Sequence, residues 1–230
     1  MSKYLCLWLE ADLQSWGNES KFSRKETLSF PTKSGVLGIV LASMGKQGPQ
    51  TELLSDLNCL DMQVKAYCSP AVSYSTNTDF HMVGSGYDSS DGFQALFIPK
   101  RADGKSAIGG GAKLTYRSYL QDICFAVLLE VPDALSNDVA TALSAPIYDS
   151  FLGRKACIPT EFIFQGCFDD LHGAITKAVD IAAIKDKVQV FSVIQTDDGD
   201  PTADMSVNDV PLSFGKEKKY ASRHIKILKL

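Results

Sequence analysis

The first regular feature of the chain is an unbroken apolar run, and it predicts a buried strand. Residues 3–9 are almost entirely apolar on both faces, as in strands at the centre of a sheet. After a polar stretch the apolar period becomes helical between Val36 and Leu41. Thr32 or Ser34 can cap this helix, and Gly45 can end it. The chain therefore begins with a central strand followed by a helix.

The same patterns predict most of the remaining elements. Further helices are expected at 51–58, from 133 or 136 to 144, and at 171–184, and further strands at 62–67, 123–131, 161–168, 188–194, 207–212 and 224–230. The order strand, helix, strand, strand, helix, strand predicts an α+β fold with a ferredoxin-like N-terminal domain. That domain covers residues 1–146, and residues 147–230 form a smaller β-rich C-terminal lobe.

Residues 69–115 interrupt this pattern. The segment is rich in Ser, Thr, Gly and Asp, and only 93–99 reads as one arm of a hairpin. A stretch of this length within a compact domain is usually either functional or disordered.

Composition bounds the classes of function. The 230 residues are 45% apolar and carry a net charge of −4 with a pI of about 5.4, which argues against nucleic-acid binding driven by total charge. Basic residues nevertheless concentrate in 21–33, 100–117 and 216–229, whereas 197–209 holds five aspartates and no base. A net-acidic protein of this kind can still present one positive groove.

The cysteines indicate a reducing compartment. The six cysteines form no C-x-x-C pair and lie mostly within apolar runs, as buried thiols do. A cytoplasmic location is therefore expected. The sequence shows no signal peptide pattern and no apolar run long enough to span a bilayer, so no membrane is expected as a partner.

Cofactor and metal chemistry finds little support. Gly84-Ser85-Gly86 lacks the third glycine of a dinucleotide fingerprint, and Gly109-Gly110-Gly111 lacks the spacing of a P-loop. Both are expected to be flexible hairpin tips. None of the three histidines has a partner at metal-ligand spacing. No cofactor and no metal site are predicted.

Several residues are candidates for contact with RNA. Lys33 and Gly35 in a first helical turn suit a phosphate, although tight packing of the helix on a sheet is an equal alternative. Trp16 is either a core residue or a platform on which a base stacks. Arg117, close to Tyr116 and Tyr119, suits single-stranded RNA.

His81 leaves two alternatives open. It can contact a base or phosphate, or it can act as a general base assisted by Tyr116 or Lys113. Cleavage of RNA by its own 2′-hydroxyl needs only such a base and a group that stabilises charge.

Two blocks of residues in the first part of the chain are the most specific, Leu13-Gln14-Ser15-Trp16-Gly17 and Phe30-Pro31-Thr32-Lys33-Ser34-Gly35-Val36-Leu37-Gly38. With further blocks along the whole chain, they resemble the CasD family of type I-E CRISPR Cascade complexes. They are followed, in family order, by Asp79-Phe80-His81, Tyr116 to Asp122, Tyr148 with Phe151 to Cys157, and Tyr220 to Arg223. The chain departs from the family where Ala11-Asp12 replaces a common Gly-Pro, which puts the local turn in doubt.

The resemblance implies a subunit that binds and caps the 5′ handle of the CRISPR RNA (crRNA). It implies an RRM-type ferredoxin-like domain whose long β-hairpin thumb, about 69–115, closes over a kinked nucleotide. It also implies contact with a CasC-type backbone subunit and a CasA-type large subunit, and only indirect contact with target DNA. The family is non-catalytic in type I-E. The alternative is a metal-independent endoribonuclease that processes repeat RNA, as in type I-C relatives.

The matching blocks and the basic and aromatic positions together define the predicted RNA-binding set. Arg24 and Lys25 are both included because either can be the basic residue that precedes the Pro-Thr-Lys-Ser block. The set is Gln14, Trp16, Arg24, Lys25, Lys33, Ser34, Gly35, His81, Arg117, Tyr119, Arg154, Lys155, Ser222 and Arg223.

Overall fold

The computed structural model describes residues 2–17, 23–84, 86, 88, 90–107, 112–197 and 200–230. The helices in these residues are α1 (Lys33–Ser43), α2 (Thr51–Asn58), α3 (Gly92–Leu96), α4 (Asp133–Ser144) and α5 (Leu171–Ile184). The strands are β1 (Ser2–Leu9), β2 (Arg24–Lys25), β3 (Met62–Cys68), β4 (Ser75–Val83), β5 (Lys113–Gln121), β6 (Ile123–Pro132), β7 (Phe164–Phe168), β8 (Val188–Thr196), β9 (Met205–Ser213) and β10 (Lys219–Lys229).

A large antiparallel sheet organises the α+β fold. Its strand order is β7-β1-β6-β3-β8-β10-β9. Leu5, Leu7 and Leu9 of β1 pack with α1, α2 and α4 on one face, whereas Cys6 and Trp8 pack with α5 on the other. Burial on both faces explains the unbroken apolar run of β1 and confirms that this strand is central.

The predicted boundary at residue 146 does not coincide with a boundary between sheets. β7 lies beyond residue 146 but pairs with β1, and β8 pairs with the free edge of β3. The last three strands therefore continue the first sheet instead of forming a sheet of their own. The sequence pattern could not show this, because pairing between distant strands leaves no local periodicity.

Part of the segment 69–115 lies in a hairpin that the apolar pattern missed and that only the family resemblance implied. β4 and β5 pair antiparallel from Ser75↔Gln121 to Val83↔Lys113, and β2 joins β5 to complete a three-stranded sheet. Most of β4 is exposed, so its residues lack the apolar alternation that a half-buried strand shows. The predicted hairpin arm at 93–99 is wrong, since α3 occupies 92–96. Ser85 and the glycine-rich tip at 109–111 lie outside the described residues.

The helix predictions are closely confirmed. α2 and α5 span the predicted ranges. At the start of α1, the side chain of Thr32 accepts a hydrogen bond from the Gly35 amide (3.1 Å). Gly45 follows the helix with a φ of 68°, a left-handed conformation that favours glycine. No helix in the described part of the chain is long and apolar enough to cross a bilayer.

Candidate nucleic-acid interface

A groove of about 320 Å³ opens beside the N-terminus of α1, and we call it the α1 groove. Five residues of the predicted RNA-binding set line it: Trp16, Lys25, Ser34, Gly35 and Arg154. Its lining contains three cations and no carboxylate. The groove is therefore a local positive site on a chain whose net charge is −4.

Arg154 forms one wall of the α1 groove and holds two strands together. Its guanidinium donates hydrogen bonds to the carbonyl oxygens of Ser118 (3.1 Å) and Lys25 (2.6 Å). It also lies 4.7 Å from the ring centre of Tyr119. Tyr119 is only 6% exposed, so its ring supports Arg154 and is not open to a base. The predicted RNA contact of Tyr119 is thus corrected to a supporting role.

The structure separates Arg24 from Lys25. β2 runs parallel to β5 with Arg24 opposite Tyr116 and Lys25 opposite Arg117. Because neighbouring side chains of a strand point to opposite faces, only one of the two can face the groove. Lys25 lines it, whereas the Arg24 guanidinium lies 5.5 Å from the Tyr116 ring centre on the other face.

Arg117 extends the basic face beyond the groove. It shares the Lys25 face of the three-stranded sheet and is opposite Asp79 of β4. Its guanidinium takes part in no ion pair within the described ranges. Arg117 is therefore available to an anion that runs across this face.

Lys33 does not contact the groove, which corrects the prediction that it binds phosphate. Its side chain is fully buried, and Nζ donates hydrogen bonds to the carbonyl oxygens of Asn58 (2.8 Å) and Leu60 (2.7 Å). These carbonyls lie at the C-terminal end of α2, where a cation is favourable. Lys33 thus joins the start of α1 to the end of α2.

Burial of Lys33 predicts a pH-dependent stability. Desolvation, and secondly the charge of Arg223, lower the pKa of Lys33 from its ordinary value of 10.5 to about 8. Between these values the unfolded chain binds more protons than the folded chain, so stability rises with pH across this window. We expect Lys33→Met to flatten the rise in unfolding free energy between about pH 8 and pH 10, measured by urea denaturation, and to leave RNA affinity within about twofold. An unaltered pH profile would contradict this assignment.

Arg223 is likewise structural rather than a phosphate ligand. Its guanidinium donates to both carboxylate oxygens of Asp209 (2.7 and 2.9 Å). The same carboxylate accepts a hydrogen bond from the Lys33 amide (2.7 Å) at the start of α1. Arg223 is 3% exposed and Asp209 is 1% exposed. This buried pair anchors the α1 N-terminus to the β9–β10 hairpin.

The predicted contacts of Gln14 and Trp16 are also corrected, since both side chains are buried. Gln14 donates to the Ile123 carbonyl oxygen (2.8 Å) and accepts from the Trp16 indole N–H (3.2 Å). A Cβ on Gly35 would lie 3.0 Å from the Trp16 ring. The close neighbour that requires glycine at position 35 is therefore the Trp16 ring and not a phosphate. The indole forms the floor of the groove.

The first turn of α1 retains one free donor. The Lys33 amide is bound by Asp209 and the Gly35 amide by Thr32. Between them, the Ser34 amide has no hydrogen-bond partner within the described ranges. Ser34 lines the groove, so this amide is placed to bind an anion.

Three further residues of the predicted set also lie outside the groove. Lys155 and Ser222 are exposed and do not line it. His81 lies on β4, with Nδ1 4.0 Å from a carboxylate oxygen of Asp79. No group of three His, Cys, Asp or Glu side chains suited to a metal ion occurs in the described part of the chain.

The sequence reasoning missed Lys218, Tyr220 and Gly153, which line the groove. Lys218 belongs to the basic segment 216–229, and Tyr220 begins the family-like block that ends at Arg223. The sequence therefore indicated this region, but the prediction selected Ser222 and Arg223 within it. Gly153 has a φ of 103°, and a Cβ there would lie 1.8 Å from the Ser15 carbonyl oxygen. Only glycine lets this loop close the groove.

One family of known proteins matches nearly the whole chain. The family described as CRISPR-associated protein (Cas_Cas5) matches residues 4–226. The chain therefore belongs to this family of CRISPR-associated proteins.

One relative and two solved structures are similar to the chain over most of its length. The chain is 29% identical over 175 residues to the CRISPR system Cascade subunit CasD of Escherichia coli (strain K12), a match covering 72% of this chain and 71% of that protein. A solved chain from a CRISPR RNA-guided surveillance complex superposes with a TM-score of 0.73 and 25% identity, covering 98% of this chain and 89% of the other. A second structure, described as a Cas protein, shares the fold with a TM-score of 0.60, at 22% identity and 99% and 94% coverage.

Proposed function

We propose that this protein is a subunit of a Cascade-type CRISPR surveillance complex and binds the 5′ handle of the crRNA. The α1 groove carries the proposal, because it gathers Lys25, Arg154 and Lys218 without a carboxylate. Three cations concentrated at one place suit a short stretch of phosphates. The similarity to CasD and to a chain of an RNA-guided complex supports the same assignment.

The groove provides two kinds of contact to single-stranded RNA. The free Ser34 amide and the positive end of α1 suit one phosphate, and the ammonium groups of Lys25 and Lys218 suit its neighbours. Tyr220 is 37% exposed and offers a ring on which a base can stack. Phosphate contacts position the handle, and contacts to its bases provide the selectivity.

The arrangement of the sheet explains why the groove lies at a helix end. The order β7-β1-β6-β3 supports a ferredoxin-like unit, and we assign β4 and β5 to the thumb. In RRM domains RNA lies on the open face of the sheet. Here α5 covers one face, and α1, α2 and α4 cover the other. The RNA is therefore assigned to the loops and the α1 N-terminus.

Within the complex, we assign CasC-type backbone and CasA-type large subunits as the protein neighbours and target DNA as an indirect partner. The assigned role is binding without cleavage. The cleavage alternative depends on His81 beside Asp79, with Arg117 opposite Asp79 on the same face of the hairpin. His81 Nδ1 and the nearer carboxylate oxygen of Asp79 are 4.0 Å apart, which is longer than a hydrogen bond.

Removal of two groove cations tests the proposal. We expect Lys25→Ala/Lys218→Ala to weaken binding of an RNA bearing the repeat-derived handle roughly 10- to 100-fold at physiological salt, and to lower the salt slope by about 1.4. Fluorescence anisotropy at several salt concentrations measures both quantities.

Lys229→Ala is the matched control, since Lys229 is exposed at the opposite end of β10. Its affinity should stay within about twofold. Equal RNA affinities of the double variant and the control would refute the assignment of the α1 groove as the RNA-binding site. The same samples, prepared without metal ions, should show intact RNA on a gel. Discrete cuts in the RNA that disappear in His81→Ala would instead favour the endoribonuclease alternative.

A further inference from the structure

A second cavity, of about 610 Å³, adjoins the α1 groove, and we call it the tip pocket. It lies between the tip of the β9–β10 hairpin and the loop that joins α1 to α2. Its volume falls within the range of about 300–1,000 Å³ that sites for small ligands have. The lining combines apolar and ionised side chains: Pro49, Leu212, Phe214, Lys216, Glu217 and Lys219.

The two loops that enclose the tip pocket are fixed by the fold. The Phe214 amide donates a hydrogen bond to the Pro49 carbonyl oxygen (2.9 Å), and β9 packs against α2. Phe214 is half-buried and packs against the hydrophobic core. Little of this lining has to become ordered when a ligand enters, and such preorganisation favours binding.

Phe214 forms a wall that the tip pocket shares with the α1 groove. Consecutive lysines lie on its two sides, since Lys218 lines the groove and Lys219 lines the pocket. The three cations of the groove are thus continued by the two lysines of the pocket, against one carboxylate. A polyanionic strand in the groove can therefore pass Phe214 with cations on both sides of the ring.

These features favour a nucleobase in the tip pocket over an apolar protein side chain. A base that enters the pocket brings its own phosphates to Lys216 and Lys219, whereas an apolar side chain would leave both ammonium groups without an anion. Aromatic rings such as Phe214 are the usual platforms on which proteins stack the bases of single-stranded RNA. The continuity with the α1 groove supplies the strand to which that base belongs.

Glu217 limits which bases suit the tip pocket. Within the described ranges its carboxylate takes part in no ion pair and is not otherwise bound. An ionised carboxylate can only accept hydrogen bonds. It suits the exocyclic amino group of adenine, cytosine or guanine, as carboxylates accept from cytosine N4, whereas uracil has no amino group.

We infer that the tip pocket binds one amino-bearing nucleobase of the RNA strand whose phosphates lie in the α1 groove. The inference rests on the proposed function and extends it from a phosphate site to a base-selective site. The Phe214 ring stacks on the base, and the Glu217 carboxylate accepts from its amino group. Because phosphate contacts carry no direct sequence information, the tip pocket is where this part of the surface reads the sequence of the handle.

A set of handle RNAs, each lacking a single base, tests the inference. Removal of one particular base should weaken binding to the wild-type chain roughly tenfold, because that base loses its stacking on Phe214. Phe214→Leu keeps an apolar side chain but removes the ring, so the same abasic RNA should bind it within about twofold of the intact RNA. Phe214→Tyr keeps the ring and is the matched control, which should retain the tenfold difference. Fluorescence anisotropy measures these ratios.

Equal wild-type affinities for all the abasic RNAs would overturn the inference, as would a tenfold difference that persists in Phe214→Leu. Phe214→Leu could instead keep the wild-type response to every RNA while losing its association with purified neighbouring subunits of the complex. That result would assign the tip pocket to a protein side chain.

Glu217→Ala tests the amino-group contact at an exposed residue. At the position found by the abasic scan, the base is replaced by the same base without its exocyclic amino group. This change should weaken wild-type binding about threefold or more and Glu217→Ala binding by less than about twofold. Asp180→Ala, which removes an exposed carboxylate of α5, should discriminate as the wild type does. Equal ratios in the two variants would exclude a contact between Glu217 and the base.

The proposed function fails in a different way. Lys25→Ala/Lys218→Ala removes phosphate contacts, so it should weaken intact and abasic RNAs by the same factor and leave their ratio unchanged. A double variant that binds intact RNA as tightly as the wild type would refute the phosphate groove. A base-specific difference that disappears in Phe214→Leu would support the tip pocket even then.

Discussion

Asp209→Ala is expected to destabilise the protein by about 3–5 kcal/mol, because it leaves buried cations without their counter-ion. The substitution removes two charge-assisted hydrogen bonds from Arg223 and the partner of the Lys33 amide. Both cations lie in the same buried region, and the charge of Arg223 already lowers the pKa of Lys33. Urea denaturation followed by circular dichroism measures the loss.

Two variants control this experiment. Asp180→Ala removes an exposed carboxylate of α5 and should change stability by less than about 0.5 kcal/mol. Adding Arg223→Met to Asp209→Ala should recover part of the loss, because the double variant no longer buries an unpaired guanidinium. A loss below about 1 kcal/mol for Asp209→Ala would contradict the structural role of the pair.

Gly153→Ala is expected to lower both stability, by roughly 2–4 kcal/mol, and RNA affinity, by about tenfold or more. The φ of 103° is unfavourable for alanine, and the new Cβ would lie 1.8 Å from the Ser15 carbonyl oxygen. The loop must then move away from Ser15, whose amide donates to Leu152 (3.0 Å). Arg154 moves with it, so one wall of the α1 groove is lost. Thermal unfolding and anisotropy with handle RNA report the two effects.

Gly38→Ala provides the matched control for the same change of residue. Gly38 lies within α1, and no heavy atom other than the helix's own nearby backbone lies within 4 Å of the Cβ that alanine would add. Alanine favours a helix by up to about 1 kcal/mol relative to glycine, so this variant should be neutral or slightly stabilised and should bind RNA normally. Equal behaviour of the two variants would show that the close approach at Gly153 does not matter.

Local sequence signals predicted most elements of this fold. The double-sided apolar run of β1, the helical spacing of α1 and the capping residue Thr32 are interactions within a few residues, and each left a pattern that can be read. The apolar pattern missed the hairpin β4–β5, which only the family resemblance implied, because exposed strands have no buried face to impose alternation. The continuity of the large sheet was missed because pairs such as Val64↔Val193 join residues far apart in sequence.

The predicted site residues divide for a similar reason. Lys33 and Arg223 resemble phosphate ligands in sequence, since each is a cation beside small residues. Their partners Asn58 and Asp209 are 25 and 14 residues away, and only folding shows that those partners satisfy the charges in the interior. Arg154 has the same local character beside Gly153, but its side chain and that of Lys25 reach the groove.

The sequence by itself determined the family, the α+β class and the presence of a basic, glycine-bearing helix start. These properties depend on residue order and local periodicity, and both can be read from the sequence without knowledge of the fold. The tertiary structure decided which cations face the solvent, which aromatic rings are covered and which distant loops enclose a cavity. Those properties depend on burial and on pairing between distant residues, and these exist only after the chain has folded.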